Sequence, residues 1–290
     1  MKGRPSFRAC WFLALLSLLG LFPGKSHGRT AWTEILIHFE NGSGHDPPAE
    51  LTLTDPSGRR GIVHPTAGER RNEIPNWKYS REIRYDTWTG KQARDIIEVV
   101  VTDPIEGSYE LLLSGIRNEA FLLGIVTQMS EQSPDLEEAL EGWISAGEVF
   151  RYKLMNADEM EKGSSERHKR LLFMTYRFDG FLDPFEPEDP KVFRIGETIS
   201  VRFHLKDAAG KKVSKAKAWL SITPSHGVLR GKSLGTLPHG GQFACDSATG
   251  LYSYDLRTDS LWAGRWQIKV RLGDGSHYHA TFELREREGP

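Results

Sequence analysis

The chain has 290 residues, of which 38% are hydrophobic and 27% charged, with a formal net charge of −1. That length accommodates two modest domains. The near-neutral charge gives no electrostatic reason to bind nucleic acid or an anionic membrane, so both partner classes are set aside.

Lys2, Arg4 and Arg8 form a basic start, followed by an apolar run from Ala9 to Phe22 that is short for a bilayer span. Ser26 and Gly28 put small residues at −3 and −1 of a cleavage site before Arg29. Residues 1–28 therefore read as a signal peptide, and the chain as secreted or periplasmic with no membrane span after cleavage. The segment takes away Lys2, Arg4, Arg8 and Lys25 but no acids, which lowers the net charge from −1 to −5. Of the two cysteines, Cys10 leaves with the leader, so no internal disulfide is expected. Cys245 reads as a partly buried thiol, with pairing between chains as the sharper alternative.

From Trp32 the pattern is β. Ile35, Ile37 and Phe39 alternate with Glu34, Leu36 and His38, and Asn41-Gly42-Ser43-Gly44 is a turn that also matches a glycosylation acceptor. Leu51 and Leu53 begin a second strand, stopped by Asp55-Pro56-Ser57-Gly58. Gly61 to Tyr85 reads as loop-rich. Residues 96–101 are a β-branched strand, and residues 108–115 and 120–127 form a hairpin around Arg117-Asn118. Many short strands between turns predict a sandwich or barrel. Ser133 to Leu140 reads as one short helix, with Ser as cap, Pro at the first position and acids in the first turn. Strand character returns at Val149 to Leu154, and the charged, Gly- and Ser-bearing stretch 156–170 reads as a linker.

The second half opens with a strand from Leu171. Ile199, Val201, Phe203 and Leu205 alternate along another, and Ala216 to Ile222 along the next. Residues 223–241 form a long loop. Trp266, Ile268, Val270 and Leu272 then alternate with Arg265, Gln267, Lys269 and Arg271. Gly273-Asp274-Gly275 supplies a hairpin turn, and Tyr278, Ala280, Phe282 and Leu284 continue on the return strand. A turn at 273–275 sets Val270 opposite Tyr278, Ile268 opposite Ala280 and Trp266 opposite Phe282, so every apolar residue shares one face.

Gly196, Thr198, Val201, Phe203, Leu205, Asp207 and Gly210 carry a recognisable pattern. Tyr252, Tyr254, Thr258, Ala263, Gly264, Leu272, Asp274, Gly275, His279 and Phe282 continue it. Residues 171–286 resemble the PxKF-type immunoglobulin-like domain of secreted bacterial proteins, departing from it at Ser200 and Arg202, where that motif has Pro and Lys. The resemblance implies an immunoglobulin-like sandwich and no catalytic residues. Upstream, TDPSGRRGIVHPTAGERRNEIPNWKY and VTDPIEGSYELLLSG are similar to the repeat-type β-module of large secreted bacterial proteins.

The chemistry-bearing motifs are weak. Gly231-Lys232-Ser233-Leu234-Gly235 has nucleophile-elbow spacing, but no helix pattern follows it. His277 and His279 are the metal candidates, since alternate strand residues share a face, but their expected neighbours across the hairpin are Arg271 and Lys269. Asp179, Asp183, Glu186, Glu188 and Asp189 could offer oxygen ligands to Ca²⁺, without a binding-loop spacing. Trp77, Tyr79, Tyr85 and Trp88 are either an exposed stacking platform for a protein or glycan or simply core.

The expected fold is all-β: two tandem antiparallel β-sandwiches, immunoglobulin-like, after a signal peptide. They would span residues 29–155 and 171–290. The expected function is an exported, non-catalytic binding or structural module for an extracellular protein or glycan. The alternative is a hydrolase or metal-dependent enzyme built on loop 223–241, with His226 and His239 converging on an acid.

Overall fold

A computed structural model describes residues 32–41, 45–85, 92–129, 136–155, 171–185, 191–225 and 237–286. The described chain is nearly all strand. In order these are β1 (Trp32–Asn41), β2 (Ala49–Thr54), β3 (Arg60–His64), β4 (Gly68–Asn72), β5 (Trp77–Tyr85), β6 (Gln92–Thr102), β7 (Tyr109–Gly115), β8 (Glu119–Met129), β9 (Leu136–Ile144), β10 (Val149–Leu154) and β11 (Leu171–Phe173). They continue as β12 (Arg177–Phe181), β13 (Lys191–Arg194), β14 (Thr198–Lys206), β15 (Ala218–Pro224), β16 (Ala244–Asp246), β17 (Leu251–Arg257), β18 (Gly264–Leu272) and β19 (His277–Arg285).

The first sandwich pairs a five-stranded sheet, β5-β6-β1-β8-β9, with a six-stranded sheet, β11-β10-β7-β2-β3-β4. Alternation decides the faces. Ile35, Ile37 and Phe39 are fully buried and meet Leu51, Leu53, Leu111 and Leu113 of the facing sheet in the core. Each such side chain contributes about 2 kcal/mol on burial. Contacts between the sheets are close. Trp32 and Tyr109 have ring centroids 6.2 Å apart, and a Cβ on Gly61 would lie 2.5 Å from the Trp77 ring.

Three expectations are corrected here. The stretch expected as a helix is strand from Leu136 onward, paired with β8 from Thr127↔Leu136 to Glu119↔Ile144. Helix propensity is worth only about 0.5 kcal/mol per residue, and burying Leu140 and Ile144 along a ready sheet edge outweighs it. Gly61 to Tyr85, read as loop, forms β3, β4 and β5. β4 and β5 are edge strands. Their polar residues form ion pairs on the sheet surface, as Arg84 does with Glu82 at 2.8 Å and Arg70 with Glu50 of β2 at 3.1 Å. Leu171–Phe173, expected to open the second sandwich, is hydrogen-bonded to β10 in the first, with Tyr152 opposite Phe173. The linker expected at 156–170 lies outside the described residues.

The second sandwich packs β12-β14-β17-β16 against β13-β19-β18-β15. This is the immunoglobulin strand order, with a first-strand segment switching sheets to run parallel to the last strand. The closing hairpin has the expected register: Val270↔Tyr278, Ile268↔Ala280 and Trp266↔Phe282. Trp266 and Phe282 are fully buried. Phe178 stacks on Tyr278 between the sheets at 4.0 Å. The two departures from the PxKF motif have local partners. Ser200 Oγ donates to Asp255 Oδ1 at 2.5 Å, and Arg202 Nη2 donates to the Asp183 carbonyl at 2.9 Å.

Candidate interaction surface and the seam between the sandwiches

The three described aromatics of the platform considered from the sequence differ in burial. Trp77 is 7% exposed, and its Nε1 donates to Glu69 Oε2 at 2.7 Å, so it is a core residue, not a surface one. Tyr79 is half-buried against the same core. Trp88 lies outside the described residues. Tyr85 alone is open, at 61% exposure, on the inward-facing side of β5 with Ile83 at 41%.

The base of the β5–β6 ribbon is braced by charge. Asp95 is fully buried and accepts from Arg81 Nε at 2.9 Å and from Arg81 Nη2. The same Nη2 reaches Asp46 Oδ1 at 2.6 Å. The hydrogen bonds that Arg81 donates to Asp95 hold its guanidinium pKa above the ordinary range. The Asp46 main-chain oxygen also accepts from Arg117 and, at 3.4 Å, from Asn41 Nδ2. Asn41 is 1% exposed, so the side chain of the acceptor motif faces inward.

On the opposite face of the same sheet, His38 sits between Glu98, 3.5 Å from its Nδ1, and Glu40, 3.6 Å from its Nε2. Burial pulls the imidazole pKa down. Hydrogen bonding to Glu40 and Glu98 more than offsets this and raises it to about 8. The carboxylates contact opposite ring nitrogens. That geometry suits a bridging imidazolium and not three ligands converging on one ion.

His277 and His279 lie on the exposed face of β19, with ring centroids 5.2 Å apart. They stand opposite Arg271 and Lys269, as the alternation predicts. Among the described residues, no group of three or more His, Cys, Asp and Glu is arranged to hold a metal. Of the acidic cluster, Asp179 is committed to Lys206 Nζ at 2.5 Å and Arg177 Nε at 2.8 Å, which leaves little for Ca²⁺. Glu186, Glu188 and Asp189 lie outside the described residues. So do His226 and Ser233 of the loop proposed for catalysis, and nothing is described of the His239 side chain. Cys245 is a partly buried free thiol, its pKa pushed up by that burial.

The seam between the two sandwiches has no local signature in the amino-acid sequence. Hairpin turns normally lie in solvent, yet Gly273, Asp274, Gly275 and Ser276 are all buried. The turn of the second sandwich is inserted into the first. The Trp143 amide of β9 donates to the Gly273 oxygen at 2.8 Å, and Tyr152 Oη donates to the Asp274 oxygen at 2.9 Å. Glycines permit the approach. A Cβ on Gly142 would lie 2.2 Å from the Phe121 ring and 2.5 Å from the Gly273 oxygen, and one on Gly273 would meet the Trp143 oxygen at 2.9 Å. At the rim Arg271 pairs with Glu141 at 3.2 Å. Tyr176 follows β11 and donates to Glu148 Oε1 at 2.5 Å. The buried apolar residues of both sandwiches form one contiguous cluster.

The chain matches no protein-family model and no curated protein. Similar solved structures include the titin Ig tandem domains A164-A165, at 8% identity over 90% of this chain and 96% of that one, with a TM-score of 0.21. Domains 4 and 5 of the S-layer protein SbsC are similar at 9% identity over 88% and 98%, with a TM-score of 0.25. The Ig1-2 module of the Drosophila receptor protein tyrosine phosphatase DLAR is similar at 8% identity over 90% and 97%, with a TM-score of 0.22. The immunoglobulin-type assignment stands on the strand order given above. Among the described residues, no helix is long and apolar enough to cross a membrane.

Proposed function

We propose that the chain is an exported, non-catalytic interaction module that presents the β5–β6 ribbon to an extracellular protein. The observation that carries this reading is the exposure of Tyr85 and Ile83 on a ribbon braced by the Arg81–Asp95–Asp46 cluster. An exposed aromatic on a preorganised strand binds at low entropic cost. Ile83 beside it adds aliphatic surface that favours a protein over a sugar ring. The likeness of residues 171–286 to the PxKF-type domain and the leader-like residues 1–28 support the same reading.

The test places a photo-crosslinker at position 85 and, as reference, at Lys211 in a remote exposed turn, in material from the native source. A partner crosslinked from 85 but not from 211, and lost in Ile83→Ser, supports the reading. Binding on a glycan array that Tyr85→Ala abolishes would transfer the ligand class to glycans. No site-dependent product in either assay would overturn it.

A further inference from the structure

Asp274 is a fully buried carboxylic acid placed where the two sandwiches meet. Its Oδ1 accepts from the Ser276 amide at 3.0 Å and from Ser276 Oγ at 2.6 Å, whereas its Oδ2 is buried without a hydrogen-bond partner. The titratable groups facing it are Glu148 from the β9–β10 turn, Tyr152 from β10, Tyr176 after β11 and Tyr278 from β19. None of them is a cation. The Arg271–Glu141 pair lies at the rim and neutralises itself. An ionised carboxylate in this place is costly, because one oxygen has lost water and gained nothing.

We propose that the Gly273–Ser276 turn is a proton-operated latch between the sandwiches, closed when Asp274 carries its proton and loosened when it ionises. Burial, opposed in part by the Ser276 hydrogen bonds and reinforced by Glu148, moves the Asp274 carboxyl up to about 6. With the turn released into water, the group returns to its ordinary value of 3.8. The closed-state value is the higher one. Closure is therefore favoured below the open-state value, and that advantage is lost as pH rises through about 6. For these two values the closing equilibrium weakens about tenfold between pH 5 and pH 7.5.

The experiment is hydrogen–deuterium exchange on the full chain at pH 5 and pH 7.5, corrected for intrinsic exchange, read at the Trp143 amide. Its acceptor is the Gly273 oxygen across the seam. The expected result is a roughly tenfold loss of protection at the higher pH in the wild type and none in Asp274→Asn. Unchanged protection in the wild type, or the same loss in the variant, overturns the latch. A Trp143 amide as strongly protected as that of Val99, in the core of the first sandwich, would mean that it exchanges only through global unfolding and also overturns it. If Asp274→Asn does not fold, the carboxyl ¹³C shift of Asp274 in the wild type decides. A midpoint near 6 supports the latch, and one in the ordinary carboxylate range overturns it.

Discussion

The phenol of Tyr152 donates a hydrogen bond to the main-chain oxygen of Asp274 across 122 residues of sequence and across the seam between two sandwiches. Both residues are fully buried, so neither partner can turn to water instead. This one contact ties a strand of the first sandwich to the tip of the last hairpin of the second.

Replacing Tyr152 by Phe keeps the ring in place and strands the Asp274 oxygen. An orphaned buried acceptor costs about 1–3 kcal/mol. Equilibrium urea unfolding is expected to show a lower midpoint with an almost unchanged slope. A midpoint equal to that of wild type would mean that the seam supplies no stability.

Gly142→Ala tests the closeness of the seam. The added methyl would overlap the Phe121 ring and the Gly273 oxygen, neither of which can move without shifting packed neighbours. Overpacking of this kind costs about 1–3 kcal/mol. Limited proteolysis between the sandwiches is expected to accelerate, with strand content by circular dichroism retained.

Arg81→Ala removes the guanidinium that donates two hydrogen bonds to the buried Asp95 at the base of the β5–β6 ribbon. Losing hydrogen bonds to a buried carboxylate costs about 1.5–3 kcal/mol, whereas removing both charges costs less. The double variant Arg81→Ala/Asp95→Asn is therefore expected to recover part of the loss in thermal unfolding. If the two substitutions simply add, the pair is not coupled.

His38 gives the first sandwich a pH dependence of its own. Its folded pKa of about 8 lies above the ordinary 6.5. The stabilisation is thus fully present below pH 6.5 and is lost as pH rises through 8. A shift of this size amounts to about 2 kcal/mol. Unfolding free energies measured from pH 6 to pH 9 are expected to fall in the wild type and to stay flatter in His38→Gln.

The amino-acid order alone determined the strands whose faces differ in polarity, because a side-chain period of two is a local property. From Trp266 to Phe282 that period and two glycines set the register, and from Ile35 to Phe39 the buried face, with no knowledge of the rest of the chain. The exposed places of His277 and His279 followed from the same rule. Where several environments suit one local pattern, the tertiary structure decided. Leu136 to Ile144 carries helix-start signals and lies in a sheet because β8 offers it an edge. Trp77 is core because the Gly61 strand leaves room beneath its ring. Gly273–Ser276 has the composition of any exposed turn. Its burial depends on Gly142, Trp143 and Tyr152, residues more than a hundred positions away whose approach no local pattern records.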